Sequence, residues 1–355
     1  MPAVTVELVP SGRMFEADVG RNVLASALAA GIALPYSCRT GNCQTCRARI
    51  AAGEVDHGAT NSQFLSAADK AAGFALLCQA RPLSDLRVEA TEIAGLAATK
   101  PRVLPCRVVR IERPAPDVTI LELRLPPNDQ FRFVAGQYVE FILAGDKRRA
   151  YSIASVPKAG GLARLELHLR HSPGGLFTDR VFSTLREKEL LQIEGPLGTF
   201  VLRDDEAPIV FVAASTGFAP IKSMLEDAFA RGVHRQRPIV LYWGARTRAG
   251  LYLFDTVQRW ASEEPNFRFV PVLSEPTPAC AWQGRTGFVH EAVLSDLPDL
   301  SPYHVYACGS PLMVEAAKRD FRARGKLHED AFFADEFLTE ADRFGTTPTM
   351  QGERP

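Results

Sequence analysis

The pattern of apolar and polar residues changes twice along the chain. Before residue 95, alternation over 4–19 around a Pro-Ser-Gly turn predicts a β-hairpin, and 22–30 predicts a short helix ended by Gly31. Between residues 106 and 202, short strand patterns are broken by Pro and Gly, as in an antiparallel barrel. From residue 209 on, wholly apolar strands alternate with helices, which predicts a parallel sheet covered on both faces.

The predicted elements of this last region follow one another in regular order. The strands are 209–213, 239–243, 267–273 and 303–307, and the helices are 219–230, 251–262 and 311–324. The fold class is therefore multidomain, with a small α+β domain, an antiparallel β-barrel and an α/β domain with a parallel sheet. The predicted limits are 1–95 for the first domain, 96–105 for a linker, 106–204 for the barrel, 205–340 for the α/β domain and 341–355 for a disordered tail.

Three cysteines lie close together in the first domain, and a fourth follows at a distance. Cys38, Cys43 and Cys46 have the spacing C-x4-C-x2-C, and Cys78 stands apart from them. This is the ligand spacing of plant-type [2Fe–2S] ferredoxins, whose cluster carries one electron at a time. A hairpin, a helix and then a cysteine loop is also the order of elements in a β-grasp ferredoxin. The sequence therefore predicts a [2Fe–2S] cluster with these four cysteines as metal ligands.

Other cysteine sites fit this pattern less well. Zinc sites usually pair two close ligands with two more close ligands, and Cys78 has no neighbouring Cys or His. A Rieske centre needs two His ligands, and an odd count of seven cysteines in a long chain disfavours a disulfide framework. Gln44 is the one departure in the loop, because ferredoxins of this kind usually carry a smaller residue there.

Composition narrows the possible classes of function. The 355 residues carry a formal net charge of zero, with 46% hydrophobic and 23% charged residues, as in ordinary globular proteins. The sequence has no block of like charges that would indicate nucleic-acid binding. Its N-terminus does not have the pattern of a signal peptide, and its longest weakly polar run is too short to span a bilayer. Free thiols and an iron–sulfur site favour a reducing compartment, so we expect a cytoplasmic location.

A basic strand and a pair of glycines are the candidate anion-binding features of the barrel. Arg149, Tyr151 and Ser152 lie in one predicted strand, which by itself reads as an ordinary strand with a basic start. Gly174 and Gly175 follow, just before a predicted helix, where backbone N–H groups form a natural pyrophosphate cradle. An arginine beside such a cradle supplies a bidentate partner for phosphate.

Two strand ends in the α/β domain are suited to dinucleotide binding. Thr216, Gly217 and Pro220 lie where a strand runs into a helix, which is where an open parallel sheet binds dinucleotides. Cys308 and Gly309 lie at the end of another predicted strand. The alternative interpretation of Cys308 is a small buried residue with a structural role.

In this order the motifs resemble those of the ferredoxin–NADP reductase superfamily, and most closely its reductases with an N-terminal ferredoxin, over residues 4–338. The resemblance implies that Arg149 holds the FAD pyrophosphate, Tyr151 stacks on the flavin ring and Ser152 lies near flavin N5. The two residues before Thr216, Ala-Ser, depart from the family's Gly-Gly. The further implied cofactor contacts are Gly174, Gly175 and Thr178 at the phosphates, His168 beside the flavin loop, and Thr216, Gly217, Pro220, Cys308 and Gly309 at the nicotinamide dinucleotide.

The resemblance also implies an acidic and an aromatic residue near the flavin at the end of the α/β domain. Glu336 or Asp335 corresponds to the acidic residue, and Phe337 to the aromatic one. We take Glu336 as the catalytic acid, together with Ser152 and Cys308 as catalytic residues. The alternative interpretation of this segment is a final strand or the edge of a helix.

The implied function is electron transfer from a reduced nicotinamide, through FAD and the [2Fe–2S] cluster, to a redox partner protein. The cofactors perform the chemistry, and the protein positions and tunes them. One branch of the family serves oxygenases, and another, the CDP-6-deoxy-glucoseen reductases, serves a pyridoxamine-dependent sugar dehydratase; residues 35–58 resemble the second branch more. A redox sensor without turnover is the alternative from another class of function.

The choice of nicotinamide and the docking face of the partner are two further expectations. Arg246 and Arg248 follow the strand 239–243, where an arginine can meet a 2′-phosphate. The same stretch also resembles NADH-using reductases, so we expect NADH, with NADPH as the alternative. Arginines surround the predicted iron ligands, which suggests an acidic docking face on the partner; they are Arg39, Arg47 and Arg49.

Overall fold

The computed structural model describes residues 3–93, 95–96, 100–127 and 130–338. The predictions for residues 97–99 of the linker and for the tail 341–355 lie outside these ranges. Within the described chain, the residues up to Ile93 and those from Glu336 on form one compact unit, and the residues between them form another. No helix in the described ranges is long and apolar enough to cross a membrane.

The first unit is built on a five-stranded mixed sheet. Its elements are β1 (Ala3–Val9), β2 (Met14–Asp18), α1 (Val23–Ala29), β3 (Arg47–Ala52), β4 (Val55–Asp56), α2 (Ala67–Ala71), β5 (Phe74–Leu76), β6 (Arg81–Pro82) and β7 (Leu86–Glu89). The strand order is β2-β1-β7-β3-β5, with β1 and β7 parallel and the other pairs antiparallel. This arrangement confirms the predicted α+β class of the first domain.

Helix α1 positions the cysteine loop that follows it. Asn22 caps the helix, since its side chain accepts the N–H of Ala25 over 2.8 Å. Val23 and Leu24 are buried in the core of the unit. Gly31, with a φ of +74°, turns the chain out of the helix, as the sequence predicts.

The second unit begins with a six-stranded antiparallel sheet. Its elements are β8 (Arg102–Ala115), β9 (Val118–Arg124), β10 (Tyr138–Ile142), β11 (Arg148–Ser152), β12 (Arg164–Arg170), α3 (Thr178–Ser183) and β13 (Leu190–Leu197). The strand order is β11-β10-β13-β8-β9-β12. A bridge between Ile153 and Leu167 joins the two edges of the sheet, which closes it as a barrel.

The same unit continues into a parallel sheet. Its elements are β14 (Ile209–Ala214), α4 (Phe218–Ala230), α5 (Val233–Gln236), β15 (Ile239–Ala245), α6 (Phe254–Glu263), β16 (Phe267–Leu273), β17 (Arg285–Thr286), α7 (Val289–Asp296), β18 (His304–Gly309), α8 (Pro311–Ala323) and β19 (Phe332–Glu336). The strand order is β17-β16-β15-β14-β18-β19. The order reverses at β14, so the crevice between β14 and β18 is a topological switch point, where such sheets bind ligands.

Several elements differ from the sequence-based expectation. Helix α6 begins at Phe254 instead of residue 251, because a 3-10 turn at Arg248–Gly250 precedes it and Leu253 is not helical. Strand β17 and helix α7 were not predicted, since two residues of strand and eight of helix give too little periodicity to detect. The terminal segment forms a strand, β19, which was one of the alternatives for it.

Gly217 lies where the start of α4 closely approaches β18. A Cβ built on Gly217 would lie 2.1 Å from the carbonyl oxygen of Cys308 and 2.9 Å from the backbone nitrogen of Gly309. Both neighbours are backbone atoms within a sheet, so they cannot rotate away. The switch point therefore requires a residue without a side chain at this position.

We predict that Gly217→Ala destabilises the second unit by about 1–3 kcal/mol, because the added methyl group forces the start of α4 away from β18. The thermal unfolding transition, measured by calorimetry on the full-length protein, is expected to move to lower temperature. Gly160→Ala is the matched control, since a Cβ on Gly160 meets nothing within 4 Å. Equal transition temperatures for the two variants would contradict the prediction.

Candidate functional site

The four cysteines of the first unit are arranged as two pairs. The thiols of Cys38 and Cys43 are hydrogen-bonded to each other, and so are those of Cys46 and Cys78. None of the four forms a disulfide. A [2Fe–2S] cluster takes four cysteine thiolates, two on each iron. The two pairs therefore match the ligand arrangement that such a cluster requires.

In each pair the surroundings lower the pKa of one thiol, Cys38 or Cys78, and raise that of its partner, Cys43 or Cys46. The N–H of Thr40 donates to Sγ of Cys38 over 3.4 Å, and the N–H of Cys38 donates to Sγ of Cys43 over 3.5 Å. Hydrogen bonding from Cys43 and from Thr40 lowers the pKa of Cys38 to about 5, against the opposite effect of burial. The thiolate is the form that binds metal. The residues present thus fit an iron–sulfur cluster.

The loop around the cysteines holds three residues in the left-handed region of the backbone. Gly41 has a φ of +83°, Arg39 of +57° and Gln44 of +58°. Glycine adopts this conformation freely, whereas other residues do so at a cost of about 1–2 kcal/mol. A positive φ at Gln44 explains why ferredoxins usually carry a smaller residue at this position.

The arginines near the ligands are less available for docking than the sequence suggests. Arg47 pairs with Asp69 over 2.6 Å and stacks on the Phe74 ring, with its guanidinium carbon 3.7 Å from the ring centre. Arg49 pairs with Glu89 over 3.2 Å. Since both charges are compensated within the unit, the structure does not support the hypothesis that these two arginines bind an acidic face of the partner protein.

A second group of potential metal ligands lies between helices α7 and α8. Atoms of His290, Glu291 and Asp320 lie within 4.8 Å of one another. Arg324 approaches Glu291 to 2.8 Å, and Arg319 approaches Asp320 to 2.7 Å. Because arginines already neutralise both carboxylates, we interpret this group as an ion-pair cluster.

Strand β11 positions the predicted flavin residues of the barrel. The Tyr151 ring lies 5.8 Å from the Phe141 ring and 5.7 Å from the Phe177 ring, measured between ring centres. Burial raises the pKa of Tyr151, which keeps its hydroxyl neutral. The ring is thus held in a fixed position by two aromatic neighbours, as a residue that stacks on a flavin needs to be.

The two arginines of this strand have different surroundings. Arg148 forms ion pairs with Glu140 and with Glu194, so its charge is compensated by two carboxylates. Arg149, one residue later, donates from its guanidinium to the carbonyl oxygen of Arg148 over 2.9 Å. Successive side chains of a strand point to opposite faces, which separates Arg149 from the acidic pair. Of the two, Arg149 is therefore better placed to bind a phosphate.

The predicted phosphate loop forms a closed turn before α3. The Thr178 hydroxyl donates to the carbonyl oxygen of Ser172 over 2.9 Å, and a Cβ on Gly175 would lie 2.4 Å from Thr178 Oγ1. Gly174 has a φ of +80°, and its N–H donates to Asp179 over 3.1 Å. The structure thus brings the three predicted residues together in one turn. A phosphate at the Gly174 N–H has to replace this carboxylate.

A cavity of about 600 Å³ opens beside this turn at one end of the barrel. Its wall includes two cationic side chains, Lys147 and Arg180, and the ring of Phe177, which also contacts Tyr151. The other lining residues are Phe141, Ile142, Leu143, Ala144, Leu176, Leu190, Leu191 and Gln192. An apolar cavity with cations at its edge suits one end of a dinucleotide cofactor.

His168 belongs to a polar network between the barrel and the parallel-sheet region. Its Nδ1 lies 2.7 Å from the Tyr252 hydroxyl and its Nε2 lies 2.9 Å from a carboxylate oxygen of Glu166. Lys222 of α4 approaches the same carboxylate to 3.3 Å. Burial lowers the pKa of His168, so the ring is neutral, donates from Nε2 to Glu166 and accepts from Tyr252 at Nδ1.

Protein groups use both ring nitrogens of His168, and its side chain is fully buried. Burial alone would raise the pKa of Glu166, but hydrogen bonding from His168 and the charge of Lys222 lower it to about 2. The structure thus places His168 in this network, and its contact with the cofactor stays a prediction.

The predicted nicotinamide residues meet at the switch point of the parallel sheet. Ala213 of β14 is in register with Cys308 of β18, and Gly217 closely approaches the Cys308 backbone. Thr216 is buried, and Pro220 lies in the first turn of α4. All of these predicted residues lie at the carboxyl ends of β14 and β18, and Gly309 is the last residue of β18.

Ser215 stands where the family's loop carries a glycine. Its φ is +50°, in the left-handed region that glycine adopts freely, and its carbonyl oxygen accepts the indole N–H of Trp243 over 3.0 Å. This hydrogen bond helps to hold a serine in that conformation.

Ser152 of the barrel, Asp335 and Cys308 meet at the end of the parallel sheet. The Ser152 hydroxyl donates to Asp335 Oδ2 over 3.4 Å, and both residues are buried. Burial, and then the negative charge of Asp335, raise the pKa of Cys308. Glu336 follows in β19, where successive side chains point to opposite faces, and the acidic role of Glu336 or Asp335 stays a prediction. Phe337 lies just beyond the strand, and its role stays a prediction.

Sequence reasoning missed an acidic residue beside Arg246. The N–H of Glu275 donates to the carbonyl oxygen of Arg246 over 2.8 Å, which brings the ends of β15 and β16 together. Both side chains are exposed. Arg248 instead stacks on Phe254, with its guanidinium carbon 3.9 Å from the ring centre. The available signal was an acidic residue two positions after an apolar strand, at the edge of the sheet where dinucleotides bind.

Two aromatic residues were also missed. Tyr252 is the partner of His168, and it was hidden because it lay within a predicted helix. Phe288 is 66% exposed at the start of α7, on the same edge of the sheet as Gly309. Its ring is stacked on that of His290, with the ring centres 5.9 Å apart, and offers its exposed side as a stacking surface.

Three family descriptions match consecutive parts of the chain. They are the 2Fe-2S iron-sulfur cluster binding domain over residues 6–83, the oxidoreductase FAD-binding domain over 105–202 and the oxidoreductase NAD-binding domain over 211–319. The matches account for both the cysteine pairs and the two cofactor sites described above.

Several characterised proteins are similar over nearly the whole length. The chain is 42% identical to the CDP-6-deoxy-L-threo-D-glycero-4-hexulose-3-dehydrase reductase of Yersinia pseudotuberculosis, covering 95% of this chain and 99% of that protein. It is 38% identical to an aromatic O-demethylase reductase subunit of Amycolatopsis, covering 93% and 99%. The crystal structure of Amycolatopsis cytochrome P450 reductase GcoB matches with a TM-score of 0.79 at 36% identity, over 95% of this chain and 99% of that one.

These relatives are reductase components of a dehydrase system and of oxygenase systems. The chain therefore belongs to the family of NAD(P)H-dependent flavin and iron–sulfur oxidoreductases that join a [2Fe–2S] ferredoxin, an FAD-binding barrel and a nicotinamide-binding domain and pass electrons to a partner protein.

Proposed function

We propose that this reductase uses NADH and delivers single electrons to a partner oxygenase or dehydratase. The observation that carries the proposal is the meeting of Ser152, Asp335 and Cys308 at the switch point of the sheet. When bound, FAD accepts an electron pair from the nicotinamide and releases single electrons, and the [2Fe–2S] cluster carries one at a time.

The residues at this meeting point position the reacting rings and exclude water. The Ser152 hydroxyl donates a hydrogen bond to Asp335, and this bond orients the hydroxyl at the end of β11. Cys308 is fully buried and, because its pKa is raised, remains a neutral thiol. A neutral small side chain beside the nicotinamide leaves room for the ring without adding a charge. We propose Ser152, Asp335 and Cys308 as the residues that contact the reacting rings.

The remaining residues hold the ends of the two cofactors. Arg149 and the turn from Gly174 to Thr178 are proposed to bind the FAD phosphates, and Tyr151 to stack on the flavin. The cavity beside the turn is proposed to receive the end of FAD beyond its phosphates. Thr216, Gly217, Pro220 and Gly309 are proposed to bind the nicotinamide dinucleotide, with Phe288 as a stacking surface.

Glu275 supports NADH as the electron donor. Glu275 lies just beyond the carboxyl end of β16, and its backbone N–H donates to the carbonyl oxygen of Arg246. A carboxylate there accepts hydrogen bonds from ribose hydroxyls and repels the 2′-phosphate of NADPH. Arg246 can instead bind the 2′-phosphate of NADPH, so we expect the relative effects of Glu275 and Arg246 to decide between NADH and NADPH.

The relatives support a protein partner that is reduced by the cluster. The Yersinia relative is a reductase for a dehydrase, and the Amycolatopsis relative is a reductase subunit for an aromatic O-demethylase. We propose a partner of one of these two kinds, in a cytoplasmic location as the free thiols favour. The predicted domain limits, 1–95, 106–204 and 205–340, are proposed as well, and the matched ranges 6–83, 105–202 and 211–319 support them.

Removing one iron ligand tests the electron path. In Cys78→Ser we expect cluster content to be lost and NADH-driven reduction of cytochrome c to fall by about tenfold or more, while reduction of ferricyanide, which accepts from the flavin, persists. Cys280→Ser is the matched control, because Cys280 donates to Thr277 O over 3.0 Å and a hydroxyl can replace it. A parent protein without steady NADH-driven turnover would support a redox sensor instead.

The acidic role is tested by Asp335→Asn, which keeps the size of the side chain and removes its charge. We expect flavin reduction by NADH to slow by up to about 100-fold, because Ser152 and Cys308 lose their fixed geometry. Stopped-flow absorbance measures this rate, with FAD content unchanged. Asp330→Asn, in the exposed turn before β19, is the control. If flavin reduction is slow in Glu336→Gln and normal in Asp335→Asn, the acidic role belongs to Glu336.

The nicotinamide preference is tested by Glu275→Gln. Loss of the carboxylate is expected to lower the ratio of kcat/KM for NADH over NADPH by about tenfold, equal to about 1.4 kcal/mol of discrimination. Steady-state kinetics with both dinucleotides measure the ratio. Glu263→Gln, a charge-matched change on the exposed face of α6, should leave it unchanged. Comparable efficiency of the parent with NADPH would overturn the choice of NADH.

A further inference from the structure

The residue that follows the fourth cysteine reaches back to its sulfur atom. The side-chain nitrogen Nε2 of Gln79 lies 3.7 Å from Cys78 Sγ, 3.1 Å from the carbonyl oxygen of Cys78 and 3.3 Å from that of Arg39. A thiolate and two carbonyl oxygens are all acceptors, so the amide must present its N–H groups to them. The orientation of the amide is therefore determined by its surroundings.

Two glycines lie close to Gln79, one against its side chain and one against its backbone. A Cβ on Gly41 would lie 3.0 Å from Gln79 Cγ, and a Cβ on Gly58 would lie 3.0 Å from the backbone carbonyl oxygen of Gln79. Both glycines have positive φ, +83° and +57°. Gly41 of the cysteine loop thus leaves space for the Gln79 side chain, and the segment after β4 packs against the Gln79 backbone.

A donor beside a ligand sulfur stabilises the more negative state of a cluster. One-electron reduction, with the electron supplied through the flavin, adds one negative charge to the cluster and its thiolates, and no bond forms or breaks at the ligands. Hydrogen bonds to the sulfurs are among the factors that set cluster potentials. An N–H at Cys78 Sγ interacts more strongly with the reduced state, so it raises the reduction potential.

We propose that Gln79 is a positioning residue that raises the reduction potential of the [2Fe–2S] cluster, by holding its amide N–H against Cys78 Sγ and tying the Arg39 carbonyl to the same point. This inference depends on the proposed function, since it requires the cluster. The Gln79 side chain thereby adjusts the reduction potential of the cluster, which is the last electron carrier before the partner. The direction of electron flow then depends partly on Gln79.

The experiment compares the cluster potential of the full-length holoprotein with that of Gln79→Met. Methionine fills a similar volume without an N–H donor, so the equilibrium constant for one-electron reduction is expected to fall threefold to tenfold, a tenfold change being about 59 mV. The potential is read by redox titration with the electron paramagnetic resonance signal of the reduced cluster. Iron and sulfide contents of both proteins are measured alongside it.

Gln44→Met is the matched control within the same loop. The Gln44 side chain makes no hydrogen bond in the described ranges, so its replacement should leave the potential near that of the parent. Gln79→Glu is the second variant, which keeps the length of the side chain, removes the donor and adds a negative charge. Its potential is expected to fall further than that of Gln79→Met.

The outcomes distinguish a failure of the inference about Gln79 from a failure of the proposed function. A potential of Gln79→Met equal to that of the parent, or equal to that of Gln44→Met, overturns the role of Gln79 and leaves the cluster assignment intact. If Gln79→Met does not retain iron, the potential of Gln79→Glu decides in the same way. A parent protein without iron and without the resonance signal overturns the proposed function itself.

Discussion

The hydrogen bond between Ser152 and Asp335 joins two parts of the chain that lie 183 residues apart, and the geometry of the reaction site depends on it. Ser152 ends β11, an edge strand of the barrel sheet, and Asp335 lies in β19, an edge strand of the parallel sheet. Both sheets must be complete before the two side chains can meet. Cys308 lies on the neighbouring strand β18, so its place beside Asp335 follows from the same strand order. The site is therefore a product of topology more than of any local motif.

A second contact between the barrel and the parallel-sheet region consists of buried charge. Lys222 is largely removed from water and Glu166 is partly buried, which is costly unless each charge is paired. The Glu166 carboxylate also accepts a hydrogen bond from His168, and His168 accepts one from the Tyr252 hydroxyl. Each polar group of this network therefore has a partner. Breaking one link leaves a buried charge uncompensated. Such a network favours one relative position of β12, α4 and the Tyr252 turn, which an apolar contact would not specify.

The sequence predicted most of what depends on local patterns. The cysteine spacing, the apolar strands from Ile209 on and the glycine at position 217 each carry their information within a few residues. The acidic residue at the end of β19 did not, because Asp335 and Glu336 differ by one position and a strand turns that difference into opposite faces. Glu275 and Tyr252 were missed for another reason. Their roles arise from neighbours on other strands, Arg246 and His168, which no local pattern reveals.

Two loops depart from the residues usual in the family, with Gln44 in place of a smaller residue and Ser215 in place of glycine. Gln44 and Ser215 both have positive φ, at a cost of about 1–2 kcal/mol for a residue with a side chain. In each case the carbonyl oxygen of the residue accepts a hydrogen bond from a fixed neighbour, from the N–H of Arg47 over 2.9 Å and from the indole of Trp243 over 3.0 Å. One such bond contributes about 1 kcal/mol, which offsets much of the cost. These hydrogen bonds therefore stabilise the positive φ at both positions, and neither position requires glycine.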